Sequence, residues 1–411
     1  MHSWPKSFLP PSPIKKGVHP KLNLFGSYEN QKVQISEDNV SIYVCGITPY
    51  DATHLGHAAT YVTYDLVYRF LTASGASVTY AQNITDVDDP LLERAKRDDV
   101  AWTDLARSQI ELFRNDMTLL NVCPPNFYEG VVENIELIIQ TIRKMVDSGF
   151  TYEIDGDIYF DLSKIPQSIS NLPFDVAESI KIFRERGGDP ERIGKRHPLD
   201  NLLWQKARNG EPSWESSFGA GRPGWHVECV AIALGYLESQ TETCITLQGG
   251  GSDLYFPHHY MSNYQAYSLS NKPLAKIFSH AGMIGYEGEK MSKSKGNLLF
   301  VSKMIEEGVD PISLRIALID RSYREYFPWE RSHLEKANQI CKRIRASLSR
   351  EDCAPTDQLI LQLISALSND LDTKEVFRLL EMWCQESENG ISGGNPGELS
   401  RALDLYLGLA F

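Results

Sequence analysis

The 411-residue chain lacks the sequence features of membrane proteins, secreted proteins and several well-known enzyme classes. No run approaches about 18 consecutive apolar residues, and no long apolar segment follows the N-terminus, so we expect neither a membrane-spanning helix nor a secretory signal. The Gly-x-x-x-x-Gly-Lys-Ser/Thr, His-Glu-x-x-His and Cys-x-x-Cys motifs are all absent. The seven cysteines are scattered and odd in number, which predicts free thiols in a reducing cytoplasm rather than a disulfide framework.

Positive charge is also in short supply. The chain has 41 Lys and Arg against 54 Asp and Glu, a net charge of −13. This balance offers no general surface for a polyanion and favours an enzyme acting on small molecules over a nucleic-acid binder. The hydrophobic content of 42% is that of a globular protein. The length favours two or three packed units over a single core.

The hydrophobic pattern of the first third predicts a strand–helix–strand unit. A β-branched run over 40–44 is followed by turn residues, a helix with apolar positions from Leu55 to Phe70, and a second strand over 77–82. Such a unit begins a parallel, Rossmann-like sheet. The other predicted elements are helices over 90–122 and 129–148, a hairpin over 150–160 around Asp155-Gly156, strands over 244–248 and 276–280, and helices over 302–319, 329–347, 356–371, 373–388 and 397–409.

We therefore predict an α/β protein with a Rossmann-like parallel sheet, an insertion and a C-terminal helical bundle. The predicted segments are an N-terminal arm (1–34), the first half of the sheet domain (35–125), an insertion (126–200), the second half of the sheet domain (201–285), a cationic loop with helices (286–345) and an acidic helical domain (346–411). Residues 163–200 are polar and poorly periodic, which is typical of irregular structure.

Three short motifs carry candidate chemistry. His54-Leu55-Gly56-His57 opens the first helix, where two imidazoles share a face and the helix dipole favours anions. The lysine-rich stretch 289–297 suits a polyphosphate, and Gly249-Gly250-Gly251-Ser252-Asp253 follows a strand where glycines let a nucleotide approach. Taken singly, each has an ordinary alternative as surface histidines, a solvated loop or a turn.

In this order, His-Leu-Gly-His and the Lys-Met-Ser-Lys-Ser of 290–294 resemble the two signature motifs of class I aminoacyl-tRNA synthetases. The resemblance implies a nucleotide-binding sheet of the class I synthetase (HUP) type that activates a carboxylate with ATP, accompanied by Mg²⁺, to form an acyl-adenylate. It implies that the imidazoles and lysines stabilise charge on the phosphates. These implied catalytic residues are His54, His57, Lys290 and Lys293.

Three further segments, 43–46, 224–229 and 253–259, resemble the zinc-bearing segments of cysteinyl-tRNA synthetase. The implied ligands of one Zn²⁺ are Cys45, Cys229 and His258. Two thiolates and one imidazole leave a coordination position open for a substrate thiolate, and serine's hydroxyl is a poor substitute. Without the resemblance, both cysteines would be interpreted as buried structural thiols.

Departures from the tRNA-charging pattern point to a paralogous family. Ile47 and Pro49 replace residues typical of cysteinyl-tRNA synthetases, and Ser262 stands where those enzymes have a fourth, glutamate ligand. These changes resemble the cysteine ligases of the mycothiol pathway, as do the segments 53–61, 83–94 and 185–190. The similarity runs from about Ser3 to Arg343.

The resemblance implies that ATP and L-cysteine give cysteinyl-adenylate and pyrophosphate. The amine of 1-O-(2-amino-2-deoxy-α-D-glucosyl)-myo-inositol (glucosaminyl-inositol) would then attack, giving an amide and AMP. The residues that it implies around the nucleotide and substrate are Gly46, Ile47, Thr48, Thr60, Asn83, Ile84, Thr85, Trp225, Gly251, Ser252, Asp253 and Ile284. Trp225 has core packing as its alternative, and Glu185 to Pro190 is either a lid over the second substrate or an ordinary loop.

The distribution of charge bears on the acceptor. Residues 351–411 hold three Lys and Arg against eleven Asp and Glu, a net −8, where a tRNA charger needs cations. Residues 321–350 carry +5, which suits an acceptor stem or a solvated helix face, and we favour the latter. We expect a cytoplasmic monomer with no tRNA or membrane partner. The alternatives are a cysteinyl-tRNA synthetase with a shortened C-terminus and a catalytically inactive paralogue used as a binding module.

Overall fold

The computed structural model describes residues 1–14, 18–237, 242–286, 289–290 (backbone only) and 298–411. Its strands are β1 (Leu22–Gly26), β2 (Gln31–Ile35), β3 (Asn39–Val44), β4 (Ser77–Ile84), β5 (Phe127–Gly130), β6 (Thr151–Ile154), β7 (Asp157–Phe160), β8 (Leu202–Lys206), β9 (Gly221–Pro223), β10 (Ile245–Gly251), β11 (Ala275–Ala281), β12 (Ile284–Tyr286), β13 (Glu289–Lys290) and β14 (Phe327–Trp329). Its α-helices are α1 (Leu55–Ala73), α2 (Asp89–Arg97), α3 (Trp102–Leu119), α4 (Ile135–Asp147), α5 (Gln167–Ser170), α6 (Val176–Glu185), α7 (Trp225–Tyr236), α8 (Tyr260–Ser270), α9 (Val301–Glu306), α10 (Pro311–Ile319), α11 (Arg331–Leu348), α12 (Asp357–Ser368), α13 (Thr373–Glu388) and α14 (Pro396–Leu407). Within these described ranges, no helix is both long and apolar enough to cross a membrane.

The centre of the protein is a five-stranded sheet in the order β11-β10-β3-β4-β5, with every neighbouring pair parallel. The side chains of Val40, Ile42, Tyr43 and Val44 on β3 are all buried, because helices cover both faces of such a sheet. The strand order reverses between β3 and β10, and ligands of open α/β sheets bind outside the carboxyl ends of strands at that point. The predicted Rossmann-like sheet is confirmed.

Helix α1 connects β3 to β4 and buries the apolar stripe that the sequence predicts, from Leu55 to Phe70. It also buries charge. Asp65 forms ion pairs with Arg69 on the same helix and with Arg315 on α10, and all three side chains are inaccessible to solvent. Arg69 Nη1 donates to the Asp404 carbonyl at 2.8 Å, which ties α1 to α14.

Two predicted helices are shorter than expected. The helix predicted over 90–122 is two helices, separated where Asp99 adopts a φ of 52°. The helix predicted from 129 begins only at Ile135, because residues 127–130 form the edge strand β5. A four-residue strand with one partner is too short to show a period of two against the following helical pattern.

The hairpin β6–β7 forms as predicted, with Asp155 and Gly156 at positive φ in its turn. Strands β8 and β9 extend it into a four-stranded antiparallel sheet. The stretch 163–200, predicted to be irregular, contains α5 and α6. The helices predicted after residue 301 are present, with the first divided into α9 and α10 by Gly308 at a φ of 93°.

Candidate functional site

A cavity of about 490 Å³ opens at the carboxyl ends of β3 and β10, the point where the strand order reverses. Ten of the predicted site residues line it: Cys45, Gly46, Ile47, Thr48, His54, His57, Thr60, Trp225, Gly251 and Asp253. Other residues that line the cavity have no site role predicted from the sequence; they include Tyr50, Asp51, Tyr61, Arg186 and Met283. The cavity therefore brings together the segments around residues 45, 54 and 251, whereas the structure describes the lysine-rich stretch 289–297 only by the backbone of 289–290.

Two thiols and an imidazole converge beside this cavity. Cys45 follows β3, Cys229 lies on α7, and His258 lies in the turn between β10 and α8. The two sulfur atoms are 3.8 Å apart, His258 Nε2 is 3.2 Å from Cys229 Sγ, and the three donor atoms all lie within 4.8 Å of one another. A hydrogen bond from Cys45 lowers the pKa of the Cys229 thiol, whereas burial raises the pKa of Cys45.

A layer of polar side chains that sequence reasoning missed surrounds this cluster. Gln248 Nε2 donates to Cys45 Sγ at 3.3 Å, and His259 Nε2 lies 3.3 Å from the same sulfur. Behind the cluster, His226 Nδ1 is 2.9 Å from His258 Nδ1. Burial lowers the pKa of His226 and of His259 well below the usual range, so both rings are neutral near pH 7. The only sequence signal for them was adjacency to a predicted site residue.

Ser262, Trp225 and the spacing of the three donors bear on which residues could hold a metal ion. Ser262 is buried, and its hydroxyl has no hydrogen-bond partner among the described residues. The centroids of the Trp225 and His258 rings are 4.3 Å apart, and Trp225 and Cys45 both line the cavity. In the described part of the chain, Cys45, Cys229 and His258 are the one group of three His, Cys, Asp or Glu donors at metal-binding separation.

The first turn of α1 presents its two histidines to the cavity. His54 is the N-cap, and its Nδ1 accepts hydrogen bonds from the backbone N–H of Gly56 at 3.1 Å and of His57 at 3.4 Å. The two rings stack with centroids 3.8 Å apart. A Cβ on Gly56 would lie 2.9 Å from the His54 ring, so a larger residue at this position would displace that ring. Burial lowers the pKa of His57 to about 4, which makes it a neutral hydrogen-bonding group near pH 7.

The segment after the cationic loop is hydrogen-bonded to the start of α1. Leu55 N–H donates to Leu299 O at 2.9 Å, and Val301 N–H donates to Thr53 O at 3.0 Å. On the other side of the loop, the backbone of Lys290 pairs with β12 in strand β13. Lys293 and the side chain of Lys290 lie outside the described residues. Ile284 begins β12, and its side chain is buried in the core.

The ends of β3 and β4 approach each other closely behind the cavity. Gly46 N–H donates to Asn83 Oδ1 at 2.8 Å, and a Cβ on Gly46 would lie 1.5 Å from the Asn83 carbonyl oxygen. Asn83 Nδ2 donates in turn to Thr85 Oγ1 at 3.2 Å. Asn83, Ile84 and Thr85 are buried and absent from the cavity lining. The structure thus places them behind the residues that contact the cavity.

The segment that follows β10 supplies Asp253, one of the two acidic residues among the described residues that line the cavity, the other being Asp51. Gly251 and Asp253 line the cavity, and Ser252 does not. Ser252 begins the short 3₁₀ helix Ser252–Leu254, which contains Asp253. Asp253 Oδ2 lies 3.4 Å from the Nη1 atom of Arg186, and Arg186 belongs to the insertion. The sequence predicts that the segment 185–190 is a lid or an ordinary loop, but its residues do not indicate that Arg186 lines the cavity.

A family model described as tRNA synthetases class I (C) catalytic domain matches residues 31–339. The chain is 47% identical over 417 residues to a Streptomyces avermitilis protein named L-cysteine:1D-myo-inositol 2-amino-2-deoxy-alpha-D-glucopyranoside ligase, with all of both chains covered. It is 44% identical over 420 residues to a Corynebacterium jeikeium ligase of the same activity name, again with all of both chains covered.

Solved structures share the fold at much lower identity. A methionyl-tRNA synthetase of Mycobacterium tuberculosis, bound to methionyl-adenylate, superposes with a TM-score of 0.61 at 16% identity, covering 90% of this chain and 88% of its own. A leucyl-tRNA synthetase ternary complex from Agrobacterium radiobacter gives a TM-score of 0.58 at 12% identity, covering 91% and 84%.

Proposed function

The chain belongs to the class I (C) tRNA synthetase family and, within it, to the L-cysteine:1D-myo-inositol 2-amino-2-deoxy-alpha-D-glucopyranoside ligases, and from this premise we propose the reaction that its site performs. ATP adenylates the carboxylate of L-cysteine and releases pyrophosphate. The amine of glucosaminyl-inositol then attacks the carbonyl carbon, the bond from that carbon to the phosphate oxygen breaks, and AMP leaves as the amine loses a proton. The product is the amide required for mycothiol biosynthesis.

The observation that carries this proposal is the thiol–imidazole cluster beside the cavity. Cys45, Cys229 and His258 offer the sulfur and nitrogen donors that Zn²⁺ prefers, and their donor atoms lie within 4.8 Å of one another. Three protein ligands are the number found in zinc sites that keep a position for substrate. When bound, zinc supplies a Lewis acid that accepts a substrate thiolate and disfavours serine's hydroxyl.

The surrounding side chains hold this donor set in place. Gln248 fixes the Cys45 sulfur, and the contact of His226 with His258 Nδ1 orients that ring so that Nε2 faces Cys229. Trp225 closes one side of the cavity beside the cluster. The cavity thus admits a small side chain next to the cluster and keeps the remainder of the substrate toward α1.

The nucleotide is proposed to lie between α1 and the end of β10. Gly46, Ile47, Thr48 and Thr60 line this space, and their backbone and hydroxyl groups would contact the nucleotide. Asn83, Ile84 and Thr85 are buried, and Asn83 accepts a hydrogen bond from the Gly46 N–H. His54, His57, Lys290 and Lys293 would stabilise the phosphates, with Mg²⁺ arriving on ATP. Gly251, Ser252 and Asp253 would meet the ribose or the cysteine ammonium, and backbone groups of Ile284 would meet the adenine.

The described charges favour a small acceptor over tRNA. Four of the eight cations of the basic stretch 321–350 are engaged by acidic residues within the protein: Arg324 pairs with Asp370, Lys336 with Asp320, Arg343 with Glu388 and Arg345 with Asp310. Phosphate binding would require these pairs to be broken, which reduces what each cation can contribute. The similarity to the ligases also runs through the acidic C-terminal helices. All seven cysteines are unpaired thiols, which supports a reducing compartment.

Two assays on the purified holoenzyme test the proposal. Cysteine-dependent ATP–pyrophosphate exchange measures adenylate formation, and radiolabelled cysteine offered with either glucosaminyl-inositol or tRNA measures transfer. We expect exchange with cysteine but not serine, and label on the sugar amine only. Label on tRNA with none on the sugar would establish the tRNA-charging alternative. Absence of exchange would establish an inactive paralogue.

A further inference from the structure

The segment Glu185–Pro190 is a tightly built turn at the end of α6. Arg186 N–H donates to Ile182 O at 3.1 Å and ends the helix. Gly187 follows with a φ of 87°, a conformation that favours glycine, and a Cβ on Gly188 would lie 2.4 Å from the Phe183 ring. Both glycines are therefore required for the chain to reverse here.

The far side of the turn is anchored in the insertion. Asp189 accepts hydrogen bonds from the Tyr159 hydroxyl at 2.5 Å and from Lys195 Nζ at 3.0 Å. The Lys195 side chain is itself buried, and its ammonium also donates to Pro198 O at 2.9 Å. The turn is thus fixed at both ends, and the direction in which Arg186 leaves it is set by the fold.

Arg186 reaches from this turn into the active-site cavity. Among the described lining residues it is the one Lys or Arg, and its guanidinium lies 3.4 Å from the Asp253 carboxylate. The two side chains are 33% and 30% exposed, so the pair is partly hydrated and contributes little to stability. Arg186 and Asp253 can therefore each form a different ion pair or hydrogen bond at a small cost in free energy.

We propose that Arg186 is a positioning residue that changes partner during the reaction. In the empty site it neutralises Asp253. When L-cysteine binds, its ammonium takes the carboxylate, and the released guanidinium donates hydrogen bonds to the hydroxyls of the incoming sugar–inositol. This inference rests on the proposed function, because it assigns Asp253 to the cysteine ammonium and a polyol amine to the second step.

The chemistry of the two groups supports this exchange. The cysteine ammonium and the Arg186 guanidinium are like charges attracted to the same carboxylate, so an ammonium bound at Asp253 repels the guanidinium and weakens its pairing there. A guanidinium carries five N–H donors and no acceptor, which matches the many hydroxyl oxygens of a polyol. A fixed positive charge beside the entering amine also favours the uncharged form that attacks the adenylate.

The test compares Arg186→Ala and Arg186→Lys with a matched control, Arg184→Ala. Arg184 lies in the last helical turn of α6, two residues before Arg186, but it pairs with Glu191 and is absent from the cavity lining. In ATP–pyrophosphate exchange, Arg186→Ala should lower the KM for L-cysteine about two- to fivefold with kcat unchanged, because a competitor for Asp253 is gone. In amide formation, it should raise the KM for glucosaminyl-inositol about tenfold or more.

Arg186→Lys keeps the charge but not the fork of donors, so we expect an unchanged KM for cysteine and a raised KM for the sugar. A KM for cysteine that stays the same or rises in Arg186→Ala would overturn the exchange of partners. An unchanged KM for the sugar would overturn the acceptor role, and equal shifts in Arg184→Ala would assign the effect to the turn as a whole and overturn both. A wild-type enzyme that exchanges but never forms amide would refute the proposed function, while the cysteine KM would still test the competition for Asp253.

Discussion

Asp116 on α3 is a buried carboxylic acid whose ionisation should destabilise the protein. Its side chain is inaccessible to solvent, and neither carboxyl oxygen has a well-formed hydrogen bond among the described residues. Burial raises the pKa of Asp116 to about 7, opposed by the neighbouring Thr53 hydroxyl and reinforced by Glu306. The residue thus lies where α3 meets the segment before α1 and the helix after the cationic loop.

The sign and size of the effect follow from this pKa. Below about pH 4 the carboxyl is protonated in both the folded and the unfolded states. Between about pH 4 and 7 the unfolded chain ionises while the folded protein keeps its proton, so the free energy of unfolding falls as the pH rises. At about 1.4 kcal/mol per pH unit, the full loss is at most about 4 kcal/mol above pH 7.

Asp116→Asn removes this loss because the amide does not ionise. We expect the variant to match wild type within about 1 kcal/mol near pH 4.5 and to be more stable by about 2–4 kcal/mol at pH 8. Urea unfolding followed by tryptophan fluorescence at pH 4.5, 6.5 and 8 measures the difference. Asp104→Asn, on the exposed side of the same helix and paired with Arg107, is the control and should show no such trend. A gain that does not grow with pH, or a variant less stable at pH 8, would refute the reasoning.

Three further perturbations test other parts of the structure. Cys229→Ala should abolish zinc retention measured by elemental analysis, whereas Cys384→Ala should not; zinc at full stoichiometry in the first variant would disprove the ligand assignment. Gly46→Ala places a Cβ 1.5 Å from a backbone oxygen, so exchange activity should fall about a hundredfold or more. Gly397→Ala, with no contact nearer than 3.5 Å, should remain active, and equal activities would contradict the close approach. Asp65→Asn leaves two buried guanidinium groups without their counter-ion and should lower the free energy of unfolding by about 3–5 kcal/mol; a loss under about 1 kcal/mol would show that water reaches them.

The periodic elements of the fold could be predicted from the sequence. The run over 40–44 and the apolar stripe of α1 are long enough to show their periods, and they lie in the sheet and helix that the pattern indicates. Strand β5 could not be recognised in the same way. Its four residues show the two-residue alternation in burial only twice, which is too few repeats to identify a strand. Its position at the edge of the sheet is decided by its pairing with β4.

Some residues of the candidate site could likewise be predicted from the sequence, and others could not. The histidines at the start of α1 and the glycine run at the end of β10 are short-range patterns, and His54, His57 and Gly251 line the cavity. Cys45 and Cys229 are 184 residues apart, so only a family resemblance could join them before the fold was known. Arg186 and Gln248 have no local signal for their contacts, because each depends on how a distant element packs against the carboxyl ends of the sheet.

The buried guanidinium groups of Arg69 and Arg315 have a consequence for how the protein can be divided. Their hydrogen-bond acceptors include the carbonyl oxygens of Asp404 and Leu407 in α14, at 2.8 and 2.6 Å. A Cβ on Gly408 would lie 2.5 Å from the Arg315 guanidinium. The last helix therefore provides hydrogen-bond acceptors, in the place of water, for buried charges on α1 and α10. Truncating it would expose ions rather than remove an appendage, so the C-terminal region is not an exchangeable module.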